Sequence, residues 1–156
     1  MGSGSGPGDG SDSARLPIPV RPVSTEKAPA PSAAYSQALI AGGFIFVAGQ
    51  RPEEPGTGHV PDGITAQSHL TLRNVSSVLA AAGAKLGDVV KVTVHLADIK
   101  YFREFNSVYA KYFETPFPVR TTVGSQLRDI LVEVDVIALD PAGGERGTPS
   151  LTELAG

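Results

Sequence analysis

The stretch that most constrains the fold lies near the C-terminal end: Ile130-Leu-Val-Glu-Val-Asp-Val-Ile-Ala-Leu139. Its β-branched residues mark a strand. Side-chain alternation then sends Glu133 and Asp135 to one face of a sheet and Val132, Val134 and Val136 to the other. Phe44–Val47 is similarly apolar. Strands with so few polar residues need cover on both faces, and one chain of this size supplies one helix layer. The second face is therefore expected to be buried by a partner subunit.

The rest of the chain supplies that layer. Ser36–Ala41 and Phe44–Ala48 flank Gly42-Gly43, a pair suited to the positive φ angles of a tight hairpin. Arg51–Gly63 is a loop by its Pro and Gly content. From Ile64 the spacing becomes helical through Leu72, Val75, Val78, Leu79 and Ala82, with Gly83 as the stop and Asp62 or Thr65 as the N-cap. Val89–Leu96 is a strand. Asp98 caps a second helix over about 100–113, ended by Pro116 and Pro118. Val119–Ser125 and Ile130–Leu139 complete the order ββαβαββ. This is a single α+β domain, a mixed sheet of about five to six strands with two helices on one face.

Gly and Pro mark the boundaries. Of the 31 in the chain, 17 fall in residues 1–34 and 141–156. Residues 1–27 are thus expected to be a flexible leader, 28–140 the folded domain and 141–156 a flexible tail. The chain has no Cys, which excludes disulfides, thiolate metal ligands and a cysteine nucleophile. A formal charge of −3 gives no electrostatic footprint for nucleic acid. No apolar run is long enough to span a membrane, and the first residues are not a secretory signal, so a cytoplasmic protein is expected. The three His are dispersed, without metal spacing. His59 and His69 read as surface residues, and His95 as a packing or interface residue with a cleft acid or base as the other reading.

Arg120 stands in the strand Val119–Ser125. If that strand forms a hairpin with 130–139, Arg120 lies on one face with Glu133 and Asp135. Two readings stay open. One is a cross-strand salt bridge. The other is a site in which the guanidinium forks onto a substrate carboxylate.

Six blocks carry a resemblance. They are Ala28-Pro-Ala-Pro-Ser-Ala-Ala-Tyr-Ser-Gln-Ala38, Phe44-Ile-Phe-Val-Ala-Gly-Gln-Arg-Pro52, Asp88-Val-Val-Lys-Val-Thr-Val94, Phe105-Asn-Ser-Val-Tyr109 with Tyr112-Phe113, Pro118-Val-Arg-Thr121, and Val132-Glu-Val-Asp-Val-Ile-Ala138. In this order they resemble the RidA/YjgF family of reactive enamine/imine deaminases. The resemblance implies a chorismate-mutase-like fold and a homotrimer with clefts between subunits. It implies cofactor-free hydrolysis of 2-imino acids, such as 2-aminoacrylate, to 2-keto acids and ammonia. It assigns Arg120 to the substrate carboxylate and Glu133 to the attacking water. Tyr35 and Asn106 line the cleft, and the backbone at Gly49 and Thr122 contributes hydrogen bonds.

Four departures stand beside it. Ala33-Ala34 replaces Gly-Pro, Ala48 replaces a Ser, Arg51 replaces an apolar residue and adds a cation at the cleft mouth, and the loop 124–131 is shorter and lacks Leu-Pro. These leave room for a family member acting in biosynthesis on a larger imine or carbonyl compound. A non-catalytic trimeric binding or chaperone-like protein is the alternative from another class.

Overall fold

The computed structural model describes residues 19–143. Its strands are β1 (Arg21–Val23), β2 (Ala38–Ala41), β3 (Phe44–Gln50), β4 (Val89–Leu96), β5 (Val119–Gly124) and β6 (Val132–Leu139). The helices are α1 (Ile64–Ala81) and α2 (Phe102–Tyr109), the latter preceded by a 3₁₀ turn at Ile99–Tyr101. The strands form one mixed sheet in the order β1-β2-β3-β6-β4-β5. Only β4 and β5 pair in parallel.

The topology follows from two crossovers. β3 and β4 both run antiparallel to β6 and hence parallel to each other. Helix α1 crosses between them and leaves a gap that the last strand fills. Helix α2 then carries the chain from β4 to its parallel neighbour β5. Both helices cover the face presented by Ile45, Val47, Val92, Val94, Leu96, Val132, Val134 and Val136, all buried. From α1, Leu72, Val75, Val78 and Leu79 are completely buried against them, each contributing roughly 1.5–3 kcal/mol.

The opposite face has no cover. Leu39, Phe44, Phe46, Val119, Val123 and Leu139 are exposed on it. β6 nevertheless alternates, buried on the helix side and half-buried on the other as far as the exposed Leu139. This open face is apolar toward β2 and β3 and polar in the middle, at Thr93, His95, Glu133 and Asp135.

Several local expectations are corrected. The hairpin between 119–125 and 130–139 does not form, because β4 lies between β5 and β6. The connecting segment wraps the end of β4: Ser125 N–H donates to Leu96 O, and Ala97 N–H donates to Leu131 O. Asp129, at φ 58°, lies in the turn of that segment. Helix α2 is shorter than 100–113, since Asp98 caps the 3₁₀ turn, its carboxylate accepting from Lys100 N–H at 2.9 Å. Neither Asp62 nor Thr65 caps α1. Gly63, at φ 86°, stands there without a side-chain cap.

The flexible leader assigned to 1–27 is docked at its end, where β1 pairs with β2 and buries Val23. Gln37 locks this segment down. Its amide nitrogen donates to the carbonyls of Thr25 and Pro29, and its oxygen accepts from Thr25 N–H. Residues 1–18 and 144–156, most of the expected leader and tail, lie outside the described residues. The glycine pair behaves as read: Gly42 and Gly43 adopt φ 60° and 84° in the β2–β3 turn.

Candidate active site

The residues singled out in the sequence fall into two groups on opposite faces of the sheet. Arg120 is in register with Val92, a core residue on the helix face. Glu133 is in register with His95, and Asp135 with Thr93, both on the open face. Two strand spacings, about 10 Å, separate β5 from β6, so Arg120 and Glu133 do not meet within one chain. The expected cluster of one Arg and two carboxylates is therefore absent.

The first group is built by the edge strand β5 and helix α2. Arg120 donates through Nη1 to Asn106 Oδ1 at 2.9 Å. Its guanidinium carbon lies 4.5 Å from the Tyr109 ring centre and 5.5 Å from that of Phe102. These rings hold the plane of the guanidinium by cation–π contact. None of these partners is anionic, and among the described residues Arg120 forms no ion pair. The group borders a cavity of about 280 Å³ closed by Phe117 and Pro118. Two hydroxyls here, Tyr109 Oη and Thr122 Oγ1, are buried without a hydrogen-bond partner. Burial pushes the Tyr109 phenol above its ordinary value of 10.0, and the nearby Arg120 cation pulls in the other direction.

The second group lies where β3 ends beside β6. The β3–β6 register shifts between Val47 and Gln50, and Gly49 sits in that irregularity. A Cβ on Gly49 would stand 2.8 Å from Glu133 Oε1, so the carboxylate rests against bare backbone. Tyr35 and Ser32 close one side of a cleft of about 440 Å³; Arg51, Leu127 and Arg128 close another. The Tyr35 hydroxyl accepts from Ser32 N–H at 3.2 Å. Arg51 donates through Nε to Glu53 Oε1 at 2.6 Å and through Nη2 to Arg128 O at 3.2 Å. Asn74 of α1 fixes the same loop through the carbonyls of Arg51 and Glu53.

The two groups offer different chemistry. The Arg120 group can bind a carboxylate, and the Glu133 group can hold a water and move its proton. Both are open to solvent, so a second copy can bring one against the other.

Comparison with known proteins is consistent with one lineage. The family model described as endoribonuclease L-PSP matches residues 25–140. The chain belongs to the RidA/YjgF family. It is 46% identical to a RutC family protein of Pyrococcus horikoshii over 119 residues, 74% of this chain and 94% of that protein. It is 37% identical over 122 residues, 75% of this chain, to the 2-iminobutanoate/2-iminopropanoate deaminase of Escherichia coli, covering 95% of it. The crystal structure of E. coli TdcF with bound serine superposes with a TM-score of 0.72 at 32% identity, covering 76% of this chain and 98% of that one.

Within this family framework, Tyr35, Gly49, Arg51 and Glu133 come together, as do Asn106, Arg120 and Thr122. Two contributors escaped the sequence. Ser32 sits in a Pro-rich segment without periodicity, and Arg128 sits in a loop, where only its charge could have marked it. His59 is exposed, as expected. His69 is not a free surface residue: its Nδ1 lies 2.8 Å from Oη of Tyr112, in the turn after α2. His95 lies on the open face, its Nδ1 2.9 Å from Ser125 Oγ and its Nε2 3.5 Å from Asp135. No metal-binding group of His, Asp or Glu occurs among the described residues, and none of their helices is long and apolar enough to cross a membrane.

Proposed function

We propose that the protein hydrolyses reactive 2-imino and enamine acids to 2-keto acids and ammonia, in clefts formed between neighbouring copies of a homotrimer. The observation that carries this reading is the state of Arg120. It is oriented by Asn106 and two aromatic rings, yet no carboxylate among the described residues uses the fork. A planar cation supported only by neutral groups suits a carboxylate ligand. The exposed apolar residues of the open face support a covering copy.

In the proposed cleft, Arg120 of one copy grips the substrate carboxylate and presents C2 to the Glu133 cleft of the next. Glu133 takes a proton from water as the oxygen adds to C2. The same carboxyl returns that proton to nitrogen and then passes on the hydroxyl proton of the adduct, so that ammonia leaves as the carbonyl forms. A 2-imino acid is already electrophilic, so orientation and one proton shuttle carry the reaction. An endoribonuclease reading, which the family description carries, is not favoured by a formal charge of −3.

The test couples a serine dehydratase, which releases 2-aminoacrylate, to this protein and follows pyruvate. A rate above the spontaneous one, lost in Arg120→Lys, is the expected result. Pyruvate released at the spontaneous rate in the presence of wild-type protein contradicts the reading.

A further inference from the structure

The Glu133 cleft carries more positive charge than the proposed reaction uses. Its charged lining consists of Arg51, Arg128 and Glu133. Glu53 offsets Arg51 but does not line the cleft. The Arg128 guanidinium is exposed and has no ion-pair or hydrogen-bond partner among the described residues. Arg51 is held rigidly: Nε is fixed on Glu53 and Nη2 on the Arg128 carbonyl. A guanidinium has five N–H donors, so these two bonds leave others directed elsewhere. The Arg51–Arg128 link also fastens the loop 125–131 to the loop after β3. Both cations are thereby kept on one wall.

Volume points the same way. On one copy alone the cleft measures about 440 Å³, more than a three-carbon imino acid fills. The proposed reaction places the substrate's 1-carboxylate on Arg120 of the neighbouring copy. The remaining N–H donors of Arg51 and the guanidinium of Arg128 are then left for a second anionic group on the same substrate.

We propose that Arg51 and Arg128 form a subsite for a side-chain carboxylate, and that the preferred substrates are 2-imino dicarboxylic acids of four or five carbons. This inference rests on the deaminase reading and specifies its substrate class. Water adds to C2 of the imino diacid, its two protons pass to nitrogen, and ammonia leaves behind a 2-oxo dicarboxylic acid. No oxidant or reductant is needed in this step. The supplying reaction is an oxidation of an acidic amino acid at Cα, which leaves an imine still carrying both carboxylates.

The experiment generates imines in place with flavin oxidases. D-Aspartate oxidase acting on D-glutamate or D-aspartate gives the dicarboxylic imines, and D-amino-acid oxidase acting on D-alanine gives 2-iminopropanoate. Imine that survives is trapped with semicarbazide and read by absorbance, for wild type, Arg128→Gln, Arg128→Lys and Arg51→Leu. The quantity compared is the ratio of kcat/KM on the dicarboxylic imine to that on 2-iminopropanoate. Wild type is expected to show a ratio above one. Arg128→Gln should lower the ratio about 10- to 100-fold, as loss of a charge-assisted hydrogen bond does. Arg128→Lys should restore part of it, and Arg51→Leu should lower it while loosening the loop.

A wild-type ratio below one, with 2-iminopropanoate still hydrolysed, overturns the subsite and leaves the deaminase reading standing. An equal fall on both substrates in Arg128→Gln also overturns it, because Arg128 then serves Glu133 or the loop. Inactivity of wild type on every imine overturns both.

Discussion

Arg120 and Arg51 face different fates in the same molecule. Arg51 is bound to Glu53 and to a main-chain carbonyl, and it ties two loops together. Arg120 leans on an amide and two rings and keeps its charge unmatched. An arginine that pairs with an internal anion stabilises structure and keeps only its remaining N–H donors for a ligand. One held in place by neutral groups retains its attraction for an external anion. The same contrast separates the two groups: the Arg120 corner holds a cation without an acid, and in the Glu133 cleft an acid rests against the glycine backbone beside two arginines.

The contrast is broken most severely at Arg120. Arg120→Lys keeps the charge and loses the planar fork, so deaminase activity should fall about 30- to 1,000-fold, equivalent to roughly 2–4 kcal/mol. Thermal melting should move little, since no internal ion pair is lost. Near-wild-type activity in this variant would make Arg120 a structural residue.

Gly49→Ala tests the other half. Its φ is not positive, so only the close approach opposes a methyl group. The Glu133 carboxylate is expected to swing away, lowering activity about tenfold or more while stability falls by roughly 1–3 kcal/mol. Unchanged kcat would show that Glu133 can move without consequence.

A smaller effect is expected where the N-terminal segment is pinned. Gln37→Leu removes the bonds that fix Thr25 and Pro29, leaving main-chain groups unmatched. Denaturant unfolding should show a loss of about 2–3 kcal/mol.

The smallest effect concerns Tyr109 and pH. Its folded pKa is raised above the unfolded 10.0, so the folded state holds the phenol proton more tightly. Stability from this group is present below pH 10 and is lost as pH rises from there through the folded pKa. Tyr109→Phe should therefore be less sensitive than wild type to alkaline pH over that window. A wild-type difference that stays flat from pH 9 to the folded pKa would contradict it.

Much of this architecture was legible in the sequence. Alternation in 132–139 fixed which valines face the core, and helical spacing from Leu72 onward fixed the buried side of α1. The parallel partnership of β4 and β5 was not legible. Short connections favour hairpins locally, and only the packing of α2 over β4 and β5 decides for a crossover. That one topological choice moved Arg120 to the face away from Glu133. β1 was hidden as well, because Pro22 and three residues of strand give no periodic signal. The site residues were identifiable singly by type and motif, whereas their division into two groups depends on long-range pairing.

The central claim is that one working site takes Arg120 from one copy and Glu133 from its neighbour. Arg120→Ala and Glu133→Gln chains should each be nearly inactive alone. Refolded together in equal amounts, they should regain about a quarter of wild-type activity, because a quarter of the interfaces in a head-to-tail ring join two intact halves. A mixture that stays at the background of the separate variants would put both residues in one chain's site and contradict the account.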